Sequence, residues 1–394
     1  QERAVPLIPT IGLEVHCQLQ TRSKLFCACP VSHGAAPNTS VCPVCLGYPG
    51  ALPVLNDRAV QLAIRAGLAL GCTIHTDSEF SRKHYFYPDL PKGYQISQFD
   101  RPICTAGQIH IDLNGVRSVH ALERIHIEED AGKMRHGDSV SRLDWNRSGT
   151  PLVEIVGQPD LHSPEAAGAW MRMLHRVVVK AGVCTGDMEK GHFRCDANVS
   201  VAPEGGPLGR RVELKNINSF RFVERAIRFE VDRQVALIAK GGVVQQSTRS
   251  WTGSETVLLR SKEGAADYRY FPEPDLPEVC LDGEIVAAER ERLAGIPLDV
   301  FLLTEDDARL SAFLQTHEIR KQDAITLLAQ AEARHLFEEA VGARGQPQAM
   351  ANWILGPVQG HRNTESSEDR LTGAQLACLE SLVEEGTINR STAR

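Results

Sequence analysis

The chain has 394 residues, of which 42% are hydrophobic and 24% charged, and these proportions exclude a disordered or fibrous protein. The formal net charge of −7 argues against nucleic-acid binding over the whole surface, although a local basic patch or a basic partner could still bind RNA. No apolar run reaches the ~18–20 residues of a membrane span and no secretory signal is apparent, so we expect a cytoplasmic protein without membrane contact.

The first predicted element is a strand at residues 10–20, which reads TIGLEVHCQLQ. Apolar and polar residues alternate strictly along it, as is typical of a strand with one buried face. Glu14 and His16 fall on the polar face. The same two-residue period places His126 and Glu128 on one face of a later strand, which ends in the acidic run IHIEED. A solvated turn is the ordinary explanation of such a run, and a metal or catalytic segment is the alternative.

A four-cysteine loop follows the first strand, in the sequence FCACPVSHGAAPNTSVCPVCLG. It holds two close thiol pairs, Cys27 with Cys29 and Cys42 with Cys45. This spacing predicts a structural Cys₄ zinc site, a zinc-knuckle insertion at residues 27–45, with His33 as a possible substitute ligand. Such a site is closed, so it would stabilise a loop and perform no chemistry. Disulfides are less favoured because the cytosol keeps thiols reduced.

The middle of the chain alternates helices with short strands. Apolar residues at helical spacing predict helices at residues 56–70, 163–181 and 219–240. Each begins at an N-capping residue: Asn56, Ser163 or Ser219. Strands are predicted at 152–156, 194–201 and 211–217. Because the strands do not form βαβ repeats, the pattern predicts an α+β fold with a largely antiparallel sheet and packed helices.

The later strands also have polar faces. The two-residue period places Arg194, Asp196 and Asn198 together, and Glu213 with Lys215. If these strands lie beside the first, five ligand-type residues converge on one sheet face: Glu14, His16, Glu128, Asp196 and Glu213. A water-exposed face is the alternative. Carboxylates are depleted in strands, however, and a partly buried group of them is costly unless a cation neutralises it.

The chemical types of these ligands indicate which metal ion they would bind. Hard oxygen ligands with at most one imidazole favour Mg²⁺ or Mn²⁺, and Mg²⁺ exchanges its waters for phosphate oxygens. ATP is therefore the expected nucleotide. The sequence contains no GxxxxGK[ST] loop and no kinase-type glycine-rich loop. A carboxylate-lined sheet that binds ATP through metal ions is the remaining interpretation.

Strand patterns end near residue 295, and later segments such as QDAITLLAQAEARHLFEEAV are amphipathic at helical spacing. The sequence therefore predicts a catalytic domain at residues 1–294 and an all-α helical tail domain at 295–394.

Seven motifs occur in order: IGLEVHCQL, RKHYFYPDLPKGYQISQ, IHIEEDAGK, NRSGTPLVEIV, RCDANVSV, ELKNINSF and DYRYFPEPDLP. Together they resemble the family of aspartyl/glutamyl-tRNA amidotransferase B subunits, over essentially the whole chain. The resemblance implies a main domain similar to the glutamine synthetase and guanidino kinase fold. It also implies that the tail is cut short at GTINRSTAR, before a final tRNA-binding module.

The resemblance implies an ATP-dependent ligase that forms C–N bonds. The family phosphorylates the side-chain carboxylate of misacylated Glu-tRNA(Gln) or Asp-tRNA(Asn), and ammonia then converts it to an amide. Ammonia comes from glutamine hydrolysed by an amidase (glutaminase) subunit, and a small third subunit completes a heterotrimer. Aminoacylated tRNA is a partner, and a non-discriminating aminoacyl-tRNA synthetase is a further candidate.

By motif, the resemblance assigns the metal and ATP ligands to Glu14, His16, Glu128, Glu129, Asp196 and Glu213. Phosphate or substrate contacts are assigned to Lys215, Arg194 and Asn198. The expected cofactors are ATP, Mg²⁺ and structural Zn²⁺ at the four cysteines. Two alternatives are a free-standing ATP-dependent carboxylate–ammonia ligase acting on a small amino acid, and a non-catalytic tRNA-binding subunit.

Overall fold

The computed structural model describes residues 5–389 except 33, 114, 138, 189, 262–267, 295, 297–307, 330 and 359–370. The chain divides into two compact units, Gln1–Pro297 and Leu298–Arg394. Three features named in the sequence analysis lie outside the described residues or at their edge: His33, the predicted domain boundary at 294–295 and the end of the tail. In the described part of the chain, no helix combines the length and apolar character needed to cross a membrane.

The first unit contains the strands. They are β1 Leu7–Gln18, β2 Thr73–Ile74, β3 Asp77–Ser78, β4 Ser81–His84, β5 Tyr94–Ser97, β6 Cys104–Thr105, β7 Gln108–Leu113, β8 Val116–Glu129, β9 Lys133–His136, β10 Ser141–Asp144, β11 Pro151–Gly157, β12 Phe193–Pro203, β13 Val212–Ile217, β14 Ser247–Trp251, β15 Thr256–Ser261, β16 Phe271–Pro272 and β17 Val279–Cys280.

One large sheet organises this unit. Its strand order is β15-β14-β13-β12-β1-β11-β8-β6-β2, and β7 pairs with β8 outside that path. Among the described strands of this sheet, only the β13–β14 pairing is parallel. The prediction of a mixed helix-and-sheet fold with a largely antiparallel sheet is confirmed. Smaller sheets pair β9 with β10, β3 with β17, and β4 with both β5 and β16.

The helices of the first unit are α1 Asp57–Ala69, α2 Pro164–Lys180, α3 Phe220–Ala239 and α4 Gly283–Ala294. Three of them begin where the sequence predicts. The side chains of Asn56, Ser163 and Ser219 accept hydrogen bonds from backbone N–H groups in the first turns of α1, α2 and α3. Caps of this kind each contribute about 1 kcal/mol to helix stability.

The apolar face of the sheet forms the core. Leu13 and Val15 of β1 are fully buried, as are Val153 and Ile155 of β11. Trp170 of α2 is also buried and approaches the backbone at the end of β11. Burial of each large apolar side chain contributes about 1.5–3 kcal/mol, so this face fixes the register that holds the polar residues opposite.

In the second unit the described elements are helices, namely α5 Ala308–His317, α6 Lys321–Ala329, α7 Ala331–Gly342, α8 Pro347–Trp353, a π-helical turn Ile354–Val358 and α9 Gly373–Glu384. Their core includes Leu310, Phe337, Met350, Trp353 and Leu376. Thr372 and Gln375 form a capping box at the start of α9.

Candidate functional site

Register brings polar side chains of four neighbouring strands onto one face of the main sheet, here called the polar face. On β1, His16 lies opposite Arg194 of β12 and Glu154 of β11, and Glu154 in turn lies opposite His126 of β8. Directly opposed residues in antiparallel strands project to the same side. The predicted convergence of β1, β8 and β12 on one face is therefore seen in the structure.

Two histidines and two glutamates form the centre of the polar face, the His–Glu cluster of His16, His126, Glu128 and Glu154. His126 Nε2 lies 3.1 Å from Glu154 Oε2 and 3.7 Å from Glu128 Oε2. His16 Nε2 lies 3.4 Å from Glu128 Oε1 and 3.7 Å from Glu154 Oε2. Each imidazole thus contacts both carboxylates.

Burial and charge act against each other in this cluster. Burial disfavours the charged form of His126, but Glu154 and Glu128 outweigh that effect and raise its pKa to about 9. Burial would raise the pKa of Glu154, but His126 and His16 lower it well below its usual range. The Glu154 carboxylate is therefore held as an anion beside the cationic imidazole of His126.

Three residues of the cluster could hold a metal ion. One ligand atom each from His16, Glu128 and Glu154 lie within 4.8 Å of one another. One nitrogen and two carboxylate oxygens suit Mg²⁺ or Mn²⁺, with further coordination positions left for water or phosphate. The residues present therefore fit a hard divalent cation.

A second group lies beside the first on β1, β12 and β13. Asn198 Nδ2 donates to Glu14 Oε1 at 2.8 Å. Lys215 Nζ lies 2.5 Å from Asp196 Oδ2 and 2.9 Å from Glu213 Oε1. Burial, together with Glu154 and Asp196, raises the pKa of Glu14. The structure thus places Glu14, Asp196 and Glu213 on the polar face, where the single charge of Lys215 is shared between Asp196 and Glu213.

The three consecutive carboxylates at the end of β8 go to three different environments. Glu128 joins the His–Glu cluster. Glu129 points to the opposite side, where Lys92 Nζ approaches its oxygens to 2.5 and 2.6 Å and the Ile96 N–H donates at 2.9 Å. Asp130 accepts from Arg194 Nη2 at 2.9 Å. Because successive strand residues alternate sides, the structure does not bring Glu129 to the polar face, although the resemblance assigns it to the metal and ATP ligands.

Lys83 of β4 completes the surroundings of the His–Glu cluster. Burial disfavours its charge, but Glu128 and several other groups, including Glu154, raise its pKa. Its Nζ lies 4.9 Å from the ring centroid of Tyr268, a cation–π distance. A cation beside the two carboxylates can attract the phosphates of a nucleotide to the cluster.

The four predicted thiols do come together. The Sγ atoms of Cys27, Cys29, Cys42 and Cys45 lie within 4.8 Å of one another, a group that could hold a metal ion. The Cys42 and Cys45 sulfurs are 3.9 Å apart. A tetrahedron with Zn–S bonds of about 2.3 Å has sulfurs about 3.8 Å apart, so the spacing fits zinc.

A fully buried lysine lies under this thiol group. Lys24 Nζ donates to Cys45 Sγ at 3.4 Å and to the Ser40 carbonyl at 2.8 Å, and contacts the Trp145 carbonyl at 3.4 Å. Hydrogen bonds from the Cys27 thiol and the Cys42 N–H, with the charge of Lys24, lower the pKa of Cys45 to about 4 against the effect of burial. At least one sulfur is thus prepared as a thiolate, the form that binds metals.

Sequence reasoning missed several of these residues. Glu154 lies in PLVEIVG, a strand buried at every position, and a lone carboxylate in such a strand is a signal that could have identified it. His126 shares a face with Glu128 by simple alternation and could have been added for that reason. Lys24 and Lys92 act through contacts distant in sequence, which no local pattern indicates.

Comparisons with known proteins agree on one family. Residues 9–287 match the family described as the GatB/GatE catalytic domain. The chain is 46% identical over 392 residues to the B subunit of the aspartyl/glutamyl-tRNA(Asn/Gln) amidotransferase of Thermodesulfovibrio yellowstonii, covering 98% of this chain and 80% of that protein. For the Geobacter sulfurreducens protein of the same name the identity is 47% over 396 residues, covering 98% and 81%. The Myxococcus xanthus protein of the same name is 47% identical over 395 residues, which cover 98% of this chain and 80% of that protein.

Proposed function

Because the chain belongs to the family of aspartyl/glutamyl-tRNA(Asn/Gln) amidotransferase B subunits, we propose that its polar face activates the carboxylate of a tRNA-bound amino acid with ATP. Glutamine-dependent amidation of aminoacyl-tRNA is the overall reaction of this ligase. The observation that carries the site assignment is the His–Glu cluster, whose ligand atoms converge on a sheet with neighbouring cationic side chains.

The reaction has two steps. A side-chain carboxylate oxygen of Glu-tRNA(Gln) or Asp-tRNA(Asn) attacks the γ-phosphorus of ATP, the bond from that phosphorus to the β,γ-bridging oxygen breaks, and ADP leaves. Ammonia then attacks the carbonyl carbon of the acyl phosphate, the C–O bond to phosphate breaks, and ammonia loses a proton as the amide forms. Phosphate is the second leaving group.

This chain's residues contribute charge and position. His16, Glu128 and Glu154 would hold Mg²⁺, which would supply neutralisation of phosphate charge and polarisation of the γ-phosphoryl group. Lys215 and Arg194 exchange their present carboxylate partners for phosphate oxygens. His126 fixes the orientation of Glu128 and Glu154 through its contacts with both.

Further elements of the proposal come from the family. An amidase subunit supplies ammonia from glutamine, a small third subunit assembles the heterotrimer, and a non-discriminating synthetase supplies the misacylated tRNA. The main sheet has the glutamine synthetase and guanidino kinase arrangement. Structural zinc occupies the four cysteines. The helical second unit contacts tRNA, and the enzyme works in the cytoplasm, where aminoacyl-tRNA is used in translation.

The test is ADP release by the assembled three-subunit enzyme with Glu-tRNA(Gln), Asp-tRNA(Asn) or free glutamate, each with and without Mg²⁺. Mg²⁺-dependent turnover on an aminoacyl-tRNA but not on free glutamate is the expected result, and it identifies the substrate. Equal turnover on free glutamate would instead establish a small-molecule carboxylate–ammonia ligase. Tight tRNA binding with no ADP release on any substrate would favour a non-catalytic tRNA-binding subunit.

A further inference from the structure

A short antiparallel hairpin follows directly after the acidic run that ends β8. It consists of β9 Lys133–His136 and β10 Ser141–Asp144. In its register Arg135 lies directly opposite Arg142, and Lys133 lies opposite Asp144. Directly opposed residues of an antiparallel pair lie on the same side, and so do residues two apart on one strand. Lys133, Arg135 and Arg142 therefore lie on one face of the hairpin.

The three cations of this face are exposed, and none of them forms an ion pair with a residue that the structure describes. Within the described residues, no carboxylate lies within 4.0 Å of the charged nitrogens of Lys133, Arg135 or Arg142. Asp144, across from Lys133, offsets one of the three charges, and its Oδ1 accepts hydrogen bonds from the Asn38 and Asn146 N–H groups at 3.2 and 3.1 Å.

The opposition of Arg135 and Arg142 is unfavourable by itself. Like charges directly across an antiparallel pair destabilise it. The chain as a whole carries a net charge of −7, so this face is a local concentration of positive charge on an acidic protein. An anion bound between the two guanidinium groups would convert the repulsion into attraction.

The hairpin also lies close to the proposed catalytic face. Asp130 contacts Arg194 of the polar face, and β9 begins at Lys133. The Cα atoms of Asp130 and Arg135 are at most about 19 Å apart, because five peptide units of about 3.8 Å separate them. A polyanion whose reactive end lies on the polar face can therefore reach the hairpin with its backbone.

We infer that the face of Lys133, Arg135 and Arg142 binds the phosphate backbone of the tRNA acceptor arm. This inference rests on the proposed function, because that function brings an RNA to the polar face. Arginine forks bind phosphate in a bidentate manner, and two of them side by side suit successive phosphates of an RNA strand. ATP is the less suitable occupant, since the metal ligands and Lys83 that suit its phosphates lie in the His–Glu cluster.

The test compares Arg135→Gln/Arg142→Gln with wild type in the assembled three-subunit enzyme, using fluorescence anisotropy with labelled tRNA at several salt concentrations. We expect about a tenfold loss of tRNA affinity, and the slope of log affinity against log salt should fall by about 2, one for each lost phosphate contact. The KM for ATP should not change. The melting temperature should stay the same or rise slightly, because the variant removes a repulsion.

A matched control is Arg221→Gln/Arg290→Gln, which removes two exposed arginines from helices α3 and α4. Its tRNA affinity should fall clearly less than that of the hairpin variant. Equal losses in the two variants, an unchanged salt slope, or a raised KM for ATP with unchanged tRNA affinity would each overturn the inference. Because binding is measured without turnover, a failure of the proposed chemistry appears separately, as absent ADP release in a wild-type enzyme that still binds tRNA.

Discussion

Glu128 and Glu129 are adjacent, chemically identical and equally buried at 2% exposure, yet they lie in opposite environments on the two sides of strand β8. Glu128 shares two imidazoles with Glu154 and faces residues that suit a metal ion. Glu129 is neutralised within the protein by Lys92 and by a backbone N–H group.

The difference separates a site that we propose takes an external cation from one that needs none. A buried carboxylate with a lysine and a backbone donor is already compensated. On the polar face, by contrast, ligand atoms of His16, Glu128 and Glu154 converge without a lysine between them, in a geometry that could hold a metal ion. On the side of Glu129, Lys92 packs against the cysteine loop. Gly47 of that loop has a positive φ of 68°, and a Cβ added to Gly47 would lie only 2.6 Å from Lys92 Cγ.

The largest effect is expected on the polar face. Glu154→Gln keeps the shape of the side chain but removes one of the anionic ligands, so Mg²⁺-dependent ADP release by the assembled enzyme should fall about a thousandfold. Glu123→Gln, which changes an exposed carboxylate on β8, should keep nearly the full rate. A Glu154→Gln enzyme with more than a tenth of the wild-type rate would show that the His–Glu cluster is not the phosphoryl-transfer site.

A substitution at Lys92 tests whether the other side is internally compensated. Lys92→Met leaves Glu129 buried without its cation, so we expect the free energy of unfolding to fall by about 3–5 kcal/mol. Denaturation of the catalytic unit measures this loss. Adding Glu129→Gln to Lys92→Met should restore most of that loss, since the uncompensated charge is then gone. If the double variant were as unstable as Lys92→Met, packing and not charge would explain the effect.

A smaller effect is expected at Lys24, beneath the cysteine loop. Lys24→Met leaves two buried carbonyls and a thiolate without their donor, which should cost about 1.5–3 kcal/mol of stability. Release of zinc to a chelator should also become faster, and Lys24→Arg should restore part of the retention. Cys280→Ser alters an exposed thiol outside the cluster and serves as the control. Zinc release as slow as in wild type would contradict a role for Lys24 in holding the metal.

The smallest effect is expected for an exposed ion pair. Arg228 and Glu165 connect helices α3 and α2 and are both about half exposed. Glu165→Gln should change the free energy of unfolding by less than about 1 kcal/mol, because water screens the pair. A larger loss, measured by the same denaturation, would show that burial is not what distinguishes Lys92 and Lys24 from surface charges.

Local patterns in the sequence predict most of the elements and the faces of the strands. The alternation of Leu13 and Val15 with Glu14 and His16 is reproduced in their burial, because register is set by the apolar face. The helix caps are local hydrogen bonds and are equally predictable. The cysteine spacing predicts the thiol cluster for a similar reason, since all four residues belong to one loop.

The remaining features depend on tertiary contacts. Lys92 is 37 residues from Glu129, and Trp145 is 121 residues from Lys24, so their pairing follows from the folded chain alone. Which carboxylates stay available for a metal depends on these distant cations. The resemblance assigns Lys215 to phosphate, and only the folded chain shows that its carboxylate partners are Asp196 and Glu213.

The most direct measurement is the binding of Mn²⁺, a spectroscopic substitute for Mg²⁺, to Glu128→Gln and Glu129→Gln by electron paramagnetic resonance. The two variants change adjacent, equally buried glutamates in the same way. Glu128→Gln should weaken Mn²⁺ binding about 10- to 100-fold or more, because a ligand is lost, while Glu129→Gln should bind Mn²⁺ as wild type does. Equal weakening in both variants, or weakening only in Glu129→Gln, would contradict the assignment of the metal site to the polar face.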